Sequence, residues 1–115
     1  MRFELIGKIP SKKNDLRRNK YGKYYHKEDK VLTALVLQLK VQAKQYTNLP
    51  IKSDCRLILE LWSDDRRDFN NEITTICDLL ENAGIVKNDR QFKQIEAYKE
   101  IDNKRARCEI EIWEQ

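Results

Sequence analysis

The residues best able to do chemistry stand together in mid-chain. Arg66 and Arg67 run into Asp68, and Phe69, Asn70, Asn71 and Glu72 follow. A second carboxylate, Asp89, arrives beyond a helix-like segment and its closing glycine, Gly84. Phosphodiester hydrolysis needs the charge on the scissile phosphate offset and a water activated. Hard divalent cations do both and prefer carboxylate oxygens. Asp68 and Asp89 are therefore candidate catalytic and metal-ligating residues, with Mg2+ the expected ion and Mn2+ the alternative. Glu72 is near enough in sequence to Asp68 to add a ligand. Asp78 sits about seven residues into the helix, roughly 10 Å along its axis. It reads either as a group behind the ligands or as a helix-surface acid. Arg66 and Arg67 can orient a phosphate. Taken singly, each of the 19 acids is an ordinary surface carboxylate, and Asp64 and Asp65 look as good by composition.

The 115-residue chain carries 23 Lys and Arg, a net charge of +4 that is compatible with a polyanionic partner. The cations gather in residues 12–23, where Lys12, Lys13, Arg17, Arg18, Lys20 and Lys23 are interleaved with Asn14 and turn formers. A polar loop of this kind suits phosphate oxygens; the plainer reading is a solvated loop. Tyr21, Tyr24 and Tyr25 tilt the balance, because aromatics among cations offer stacking surfaces for bases. His26 reads as a surface or hydrogen-bonded residue. With Lys8, Arg66 and Arg67, these basic residues and Asn14 make the expected DNA-binding set.

The elements that must position these groups follow from periodicity. Residues 2–8 alternate as a first strand, ended by Gly7 and Pro10. A helical repeat of Leu32, Leu35, Val36, Leu39, Ala43 and Tyr46 spans 28–46. Val31, Leu37 and Val41 widen its apolar face, which predicts burial on both sides or a contact with a second subunit. Pro50 breaks the pattern. Residues 54–62 alternate strongly, with Leu57, Leu59 and Leu61 on one face and Ile58, Glu60 and Trp62 on the other. The next helix is expected to start at Asn70 or Asn71, with Glu72 complementing its dipole. Ile73, Ile76, Cys77, Leu80 and Ala83 form its inner stripe; Asn71, Thr74 and Asp78 lie away from it. Two strands near 93–101 and 105–113, joined at 102–104, complete the order. The expectation is a compact two-layer α/β (α+β) domain over residues 1–115, with a mixed sheet of about four strands and two main helices. No apolar run is long enough for a membrane span or a signal peptide. Three scattered cysteines and one histidine argue against a zinc site built on thiolates and imidazoles, and predict buried, reduced thiols.

The segment from Arg67 to Asn71, continued by Asp78, Gly84, Lys87, Asn88 and Asp89, resembles the RusA family of Holliday junction resolvases. The opening Gly7, Lys8, Ile9, Pro10, Ser11, Lys12, Lys13 and Asn14 is similar to that family's proline-and-lysine loop. The resemblance covers most of the chain. It implies a homodimeric, Mg2+-dependent endonuclease that binds four-way DNA junctions and nicks them symmetrically, in recombination and repair. It further implies the cytoplasm of a bacterial or phage-infected cell. By position, Asp68 matches the first catalytic aspartate, Asp78 the aspartate within the helix, and Asp89 the last acid of the turn. Asn70 stands where a second catalytic aspartate is expected, Asn88 where the first acid of the closing pair is, and Thr74 where a lysine is. An amide oxygen still ligates Mg2+ but removes a full charge. Either Glu72 compensates, or the metal binds weakly, or cleavage has been disabled. Three readings follow: a junction-resolving nuclease, a DNA-structure-binding protein with the same fold and little or no catalysis, and a basic adaptor for protein partners.

Overall fold

The computed structural model describes residues 1–10, 30–64 and 66–115, with the backbone of residues 16–18, 24–26 and 29. In chain order the elements are β1 (Arg2–Ile6), β2 (Leu16–Arg18), β3 (Tyr24–His26), α1 (Asp29–Ala43), β4 (Cys55–Ser63), α2 (Phe69–Asn82), a 3-10 turn (Asp89–Gln91), β5 (Phe92–Ile101) and β6 (Arg107–Glu114). Four strands form one mixed sheet in the order β1-β6-β4-β5. β4 and β5 run parallel, while β6 is antiparallel to both β4 and β1. This is the expected α+β arrangement of a four-stranded sheet and two main helices.

The alternation in β4 places its residues as the sequence requires. Leu57, Leu59 and Leu61 are fully buried against the helices, and Ile58, Glu60 and Trp62 take the other face. Leu5, Cys108, Ile110 and Ile112 extend the inner face across β1 and β6, and Leu35, Leu39, Ile76, Leu79 and Leu80 close it from the helices. Each such leucine or isoleucine contributes about 1.5–3 kcal/mol by leaving water. Cys55, Cys77 and Cys108 are free and buried. Burial, reinforced by nearby Asp89 and Asp78, pushes the Cys77 thiol up to about 12, and burial raises Cys55 and Cys108 as well. Because alkylation needs thiolate, native protein at pH 8 is expected to resist iodoacetamide while urea-unfolded protein takes up three labels by mass spectrometry.

Several boundaries move, each for a physical reason. β1 stops at Ile6 because Gly7 has a positive φ of 117° and its N–H turns to Ala106 O at 2.9 Å. Within residues 12–23, read as a loop, the backbone of β2 pairs with β3 in an antiparallel ladder, Arg17 opposite Tyr25. α1 ends at Ala43, short of Tyr46, whose hydroxyl is taken by the sheet. α2 is capped by Asp68, not by Asn70 or Asn71. β5 and β6 are joined as expected, but β4 lies between them. Their connection steps over the end of β4, where Asp102 N–H donates to Ser63 O at 3.0 Å. The Asp102 carboxylate then accepts the Lys104 and Arg105 amides and the Arg107 guanidinium, which hold its carboxyl below the usual range.

α1 does more than cover the core. β1 is an edge strand, and an open edge invites pairing with other chains. Tyr46 Oη, Gln42 and Gln38, one helical turn apart, each both accept from and donate to the backbone of Arg2, Glu4 and Ile6, at 2.6–3.0 Å. The side chains stand in for a fifth strand. The outward face of the same helix leaves Val31, Leu37 and Val41 exposed, so the widened apolar face is not covered by the described part of the chain.

Candidate functional site

One end of the sheet gathers the exit of β1, the end of β4, the start of α2 and the connection before β6. There the chain after β4 makes a clasp. Arg66 grips Asp64 through its side chain, Nη2 to Oδ2 at 2.7 Å, and its backbone N–H donates to Oδ1 at 2.8 Å. These hydrogen bonds hold the Asp64 carboxyl well below the usual carboxylate range. The guanidinium itself stays exposed, with a side face open to solvent. Arg67 turns the other way and donates to Ile9 O at 3.2 Å. Asp68 follows in extended backbone, and its carboxylate accepts the Asn71 N–H at 3.1 Å, capping α2. A carboxylate there is favoured by the unpaired amides and by the helix dipole.

The exit of β1 is locked to this turn. Besides the Arg67 bond to Ile9 O, the buried Thr75 hydroxyl donates to Pro10 O at 2.7 Å. Ile9 and Pro10 are buried and Lys8 is exposed. The basic stretch that begins after Pro10 is therefore rooted beside the start of α2. The expected DNA-binding residues Lys12, Lys13, Asn14, Lys20 and Lys23, and the stacking candidate Tyr21, lie outside the described residues, as do the side chains of Arg17, Arg18, Tyr24, Tyr25 and His26; Asp65 is outside as well.

The remaining predicted residues fall into separate places. Asn70 and Thr74 are exposed on the outer side of α2, and the Thr74 hydroxyl is occupied by Asn70 O at 3.0 Å. Glu72 goes inward: it is fully buried and pairs with Lys99 at 2.7 Å. Its carboxylate is not brought together with that of Asp68. Asp89, expected on a turn able to fold back toward Asp68, is held beside the second half of α2. The Gly84 N–H donates to Glu81 O, Ile51 and Val86 form a bridge, and the Asp89 N–H donates to Glu81 Oε1 at 2.9 Å. Asn88 caps the 3-10 turn with Gln91 completing a capping box, and Gln91 donates to Ile51 O and Ser53 O. Asp89 is thus fixed beside the second half of α2, near Glu81 and Cys77, and Cys77 itself lies about 13 Å along the helix axis from Asp68. Asp78 and Asp89 both act on the Cys77 thiol, so the structure gathers these two and separates both from Asp68. Among the described residues, no three Asp, Glu, His or Cys side chains converge as a cation site.

Two residues that matter here were missed in the sequence. Thr75 carries no signal beyond its place on the inner side of the helix. Lys99 does: Glu72 precedes Ile76, Leu79 and Leu80 at helical spacing, so it belongs to the inner stripe, and a buried acid calls for a cation. The uncovered sheet face supplies the opposite sign. Glu4, Glu109 and Glu60 stand side by side across β1, β6 and β4. That row repels a polyanion, which leaves the α2 side and the end of the sheet as the surfaces fit for one.

A protein-family model described as Endodeoxyribonuclease RusA matches residues 9–113. No curated protein matches the chain.

Proposed function

The chain belongs to the RusA endodeoxyribonuclease family, and from that premise we propose that it binds four-way DNA junctions and nicks them as a homodimer, as one domain over residues 1–115. The supporting observation is the latch of Ile9 and Pro10 onto Arg67 and Thr75. It roots the basic segment next to Asp68, so a duplex held by the cations passes the carboxylate. Arg66 reaches a phosphate by leaving or sharing Asp64, and Arg67 serves chiefly as the latch. The setting is recombination and repair in the cytoplasm of a bacterial or phage-infected cell; among the described residues no helix is long and apolar enough to cross a membrane.

Nucleases of this family generally use a divalent metal, and Mg2+ is the ion we propose. Among the described residues the acids of one protomer do not converge on such an ion, because Asp89 is held beside Glu81 and Cys77, away from Asp68, and Glu72 is committed to Lys99. A two-fold axis crossing α2 near its middle would set Asp68 of one protomer beside Asp89 of the other, with Asp78 behind it. The exposed Val31, Leu37 and Val41 of α1 offer apolar surface for such an assembly. When bound, the ion offsets phosphate charge and activates water; the chain's own part is to hold the strand and present the carboxylates.

Synthetic four-way junctions incubated with Mg2+ are expected to be nicked, and Asp68→Ala is expected to remove the activity while leaving junction binding. Equal nicking by that variant would refute the assignment. A second reading is favoured by the neutral amide at Asn70: a junction binder with weak or no catalysis, which gives tight binding and no product. In either case the basic segment carries the affinity. Replacing Lys12, Lys13, Arg17, Arg18, Lys20 and Lys23 by Gln is expected to flatten the salt dependence of binding, by about 0.9 in log-log slope for each phosphate no longer neutralised. An unchanged slope in a fluorescence titration would remove that role.

A further inference from the structure

We propose that Lys99 is a positioning residue for cleavage: its ammonium, held by the buried Glu72 carboxylate, fixes the turn that presents Asp68. The proposal rests on the cleavage role given to Asp68 above. Lys99 lies on β5 opposite Leu61 of β4 and points under the start of α2. Its Nζ donates to Arg67 O at 2.8 Å and to Glu72 Oε1 at 2.7 Å, and stands 5.9 Å from the centre of the Phe69 ring. These three contacts bracket Asp68: the carbonyl before it, the ring after it, and the carboxylate one helical turn on. The Asp68 carbonyl is held in its turn by the Glu72 N–H at 3.0 Å. The backbone is thereby fixed on both sides of the residue whose carboxylate must face the strand, and the Glu72 side chain and backbone supply both ties.

Stability alone gives little reason for this arrangement. The Lys99 side chain is 12% exposed and that of Glu72 is 0% exposed. Glu72 Oε2 is buried with no hydrogen-bond partner. An ion pair so incompletely satisfied is no more stabilising than an apolar pair of similar volume. What an apolar pair cannot do is bind the Arg67 carbonyl. A one-residue error in that turn swings the Asp68 carboxylate away from the strand, and misplacement of a catalytic group by about 1 Å costs about 100-fold in rate.

Lys99→Met alone would strand a buried carboxylate and unfold the protein, so the informative variant is the double substitution Glu72→Leu with Lys99→Met. The double variant is expected to melt within a few degrees of the parent and to bind junctions equally. Its kcat for nicking is expected to fall at least tenfold with KM little changed. Amide hydrogen exchange across residues 67–71 is expected to quicken at least tenfold. Lys99→Arg, which can still reach both oxygens, is expected to recover most of the rate. Parental kcat or parental exchange in the folded double variant would overturn the proposal, since a merely structural pair predicts both. Asp68→Ala run alongside separates the two ideas. If that variant nicks like the parent, the cleavage reading falls, while the exchange measurement still decides whether Lys99 holds the turn.

Discussion

A mixture of Asp68→Ala and Asp89→Ala protomers is expected to nick four-way junctions although each variant alone is reduced on the order of 100-fold or more, the scale of loss when the cation that offsets phosphate charge loses a carboxylate ligand. The reason is the length of α2. Asp68 caps its first turn and Asp89 is pinned to its last by Glu81. If cleavage uses both carboxylates at one phosphate, they come from two protomers. In a mixed dimer one composite site then has both carboxylates replaced and the other has both intact. Purified mixed dimers, made by co-expression with two affinity tags, should therefore carry roughly half the parental sites and should nick one strand without the symmetric second cut. A site completed within one protomer predicts none of this, because every protomer in the mixture lacks one acid. Absence of recovery in mixed dimers that bind junctions normally would defeat the two-protomer site.

Much of the fold could be read from the chain. β4 and the inner stripe of α2 are set by period-two and 3.6-residue alternation of leucines and isoleucines, which burial enforces strongly. The order of the final strands was harder. Nothing local in residues 92–114 says that β5 pairs parallel with β4 while β6 takes the opposite side; that is decided by the crossover through α2 and the Asp102 clasp. The apolar width of α1 predicted burial on both sides or a contact with a second subunit; Val31, Leu37 and Val41 stay exposed in the single chain, which sets aside the first and agrees with the subunit contact proposed above.

The site was legible as a set of residues and not as a geometry. Asp68, Asn70 and Asp89 can be picked out by type and spacing. Their separation cannot, because a turn that folds back and a turn pinned to residues 51–53 look alike in sequence. Glu72 shows the same limit from the other side. In the linear order it is the acid nearest to Asp68 within the helix, but four residues ahead of Ile76 it shares the buried stripe, and its partner Lys99 lies a whole strand away. Long-range pairing of a single acid and a single base leaves no periodic trace.

Replacing Asn70 by Asp tests how far the neutral amide limits the reaction. Asn70 is the second residue of α2, exposed and two positions from Asp68. An aspartate there places a full negative charge in the first turn, where the helix dipole favours it by about 0.3–1 kcal/mol. The melting temperature is therefore expected to rise by a few degrees, roughly 4 °C per kcal/mol for a domain of this size. The larger expected effect is on nicking. A carboxylate beside Asp68 adds a charged oxygen donor where the amide offers only a carbonyl, so the rate at limiting Mg2+ is expected to rise by an order of magnitude or more. Two controls give the result its meaning. Asn70→Asp combined with Asp68→Ala should lose the gain, because the two groups act at one phosphate. Asn70→Ser, which keeps a polar side chain there without adding charge, should neither stabilise nor accelerate. If Asn70→Asp raises the melting temperature but leaves the Mg2+ titration of nicking where it was, the first turn of α2 answers only to the helix dipole, and the acid next to Asp68 has no part in cleavage.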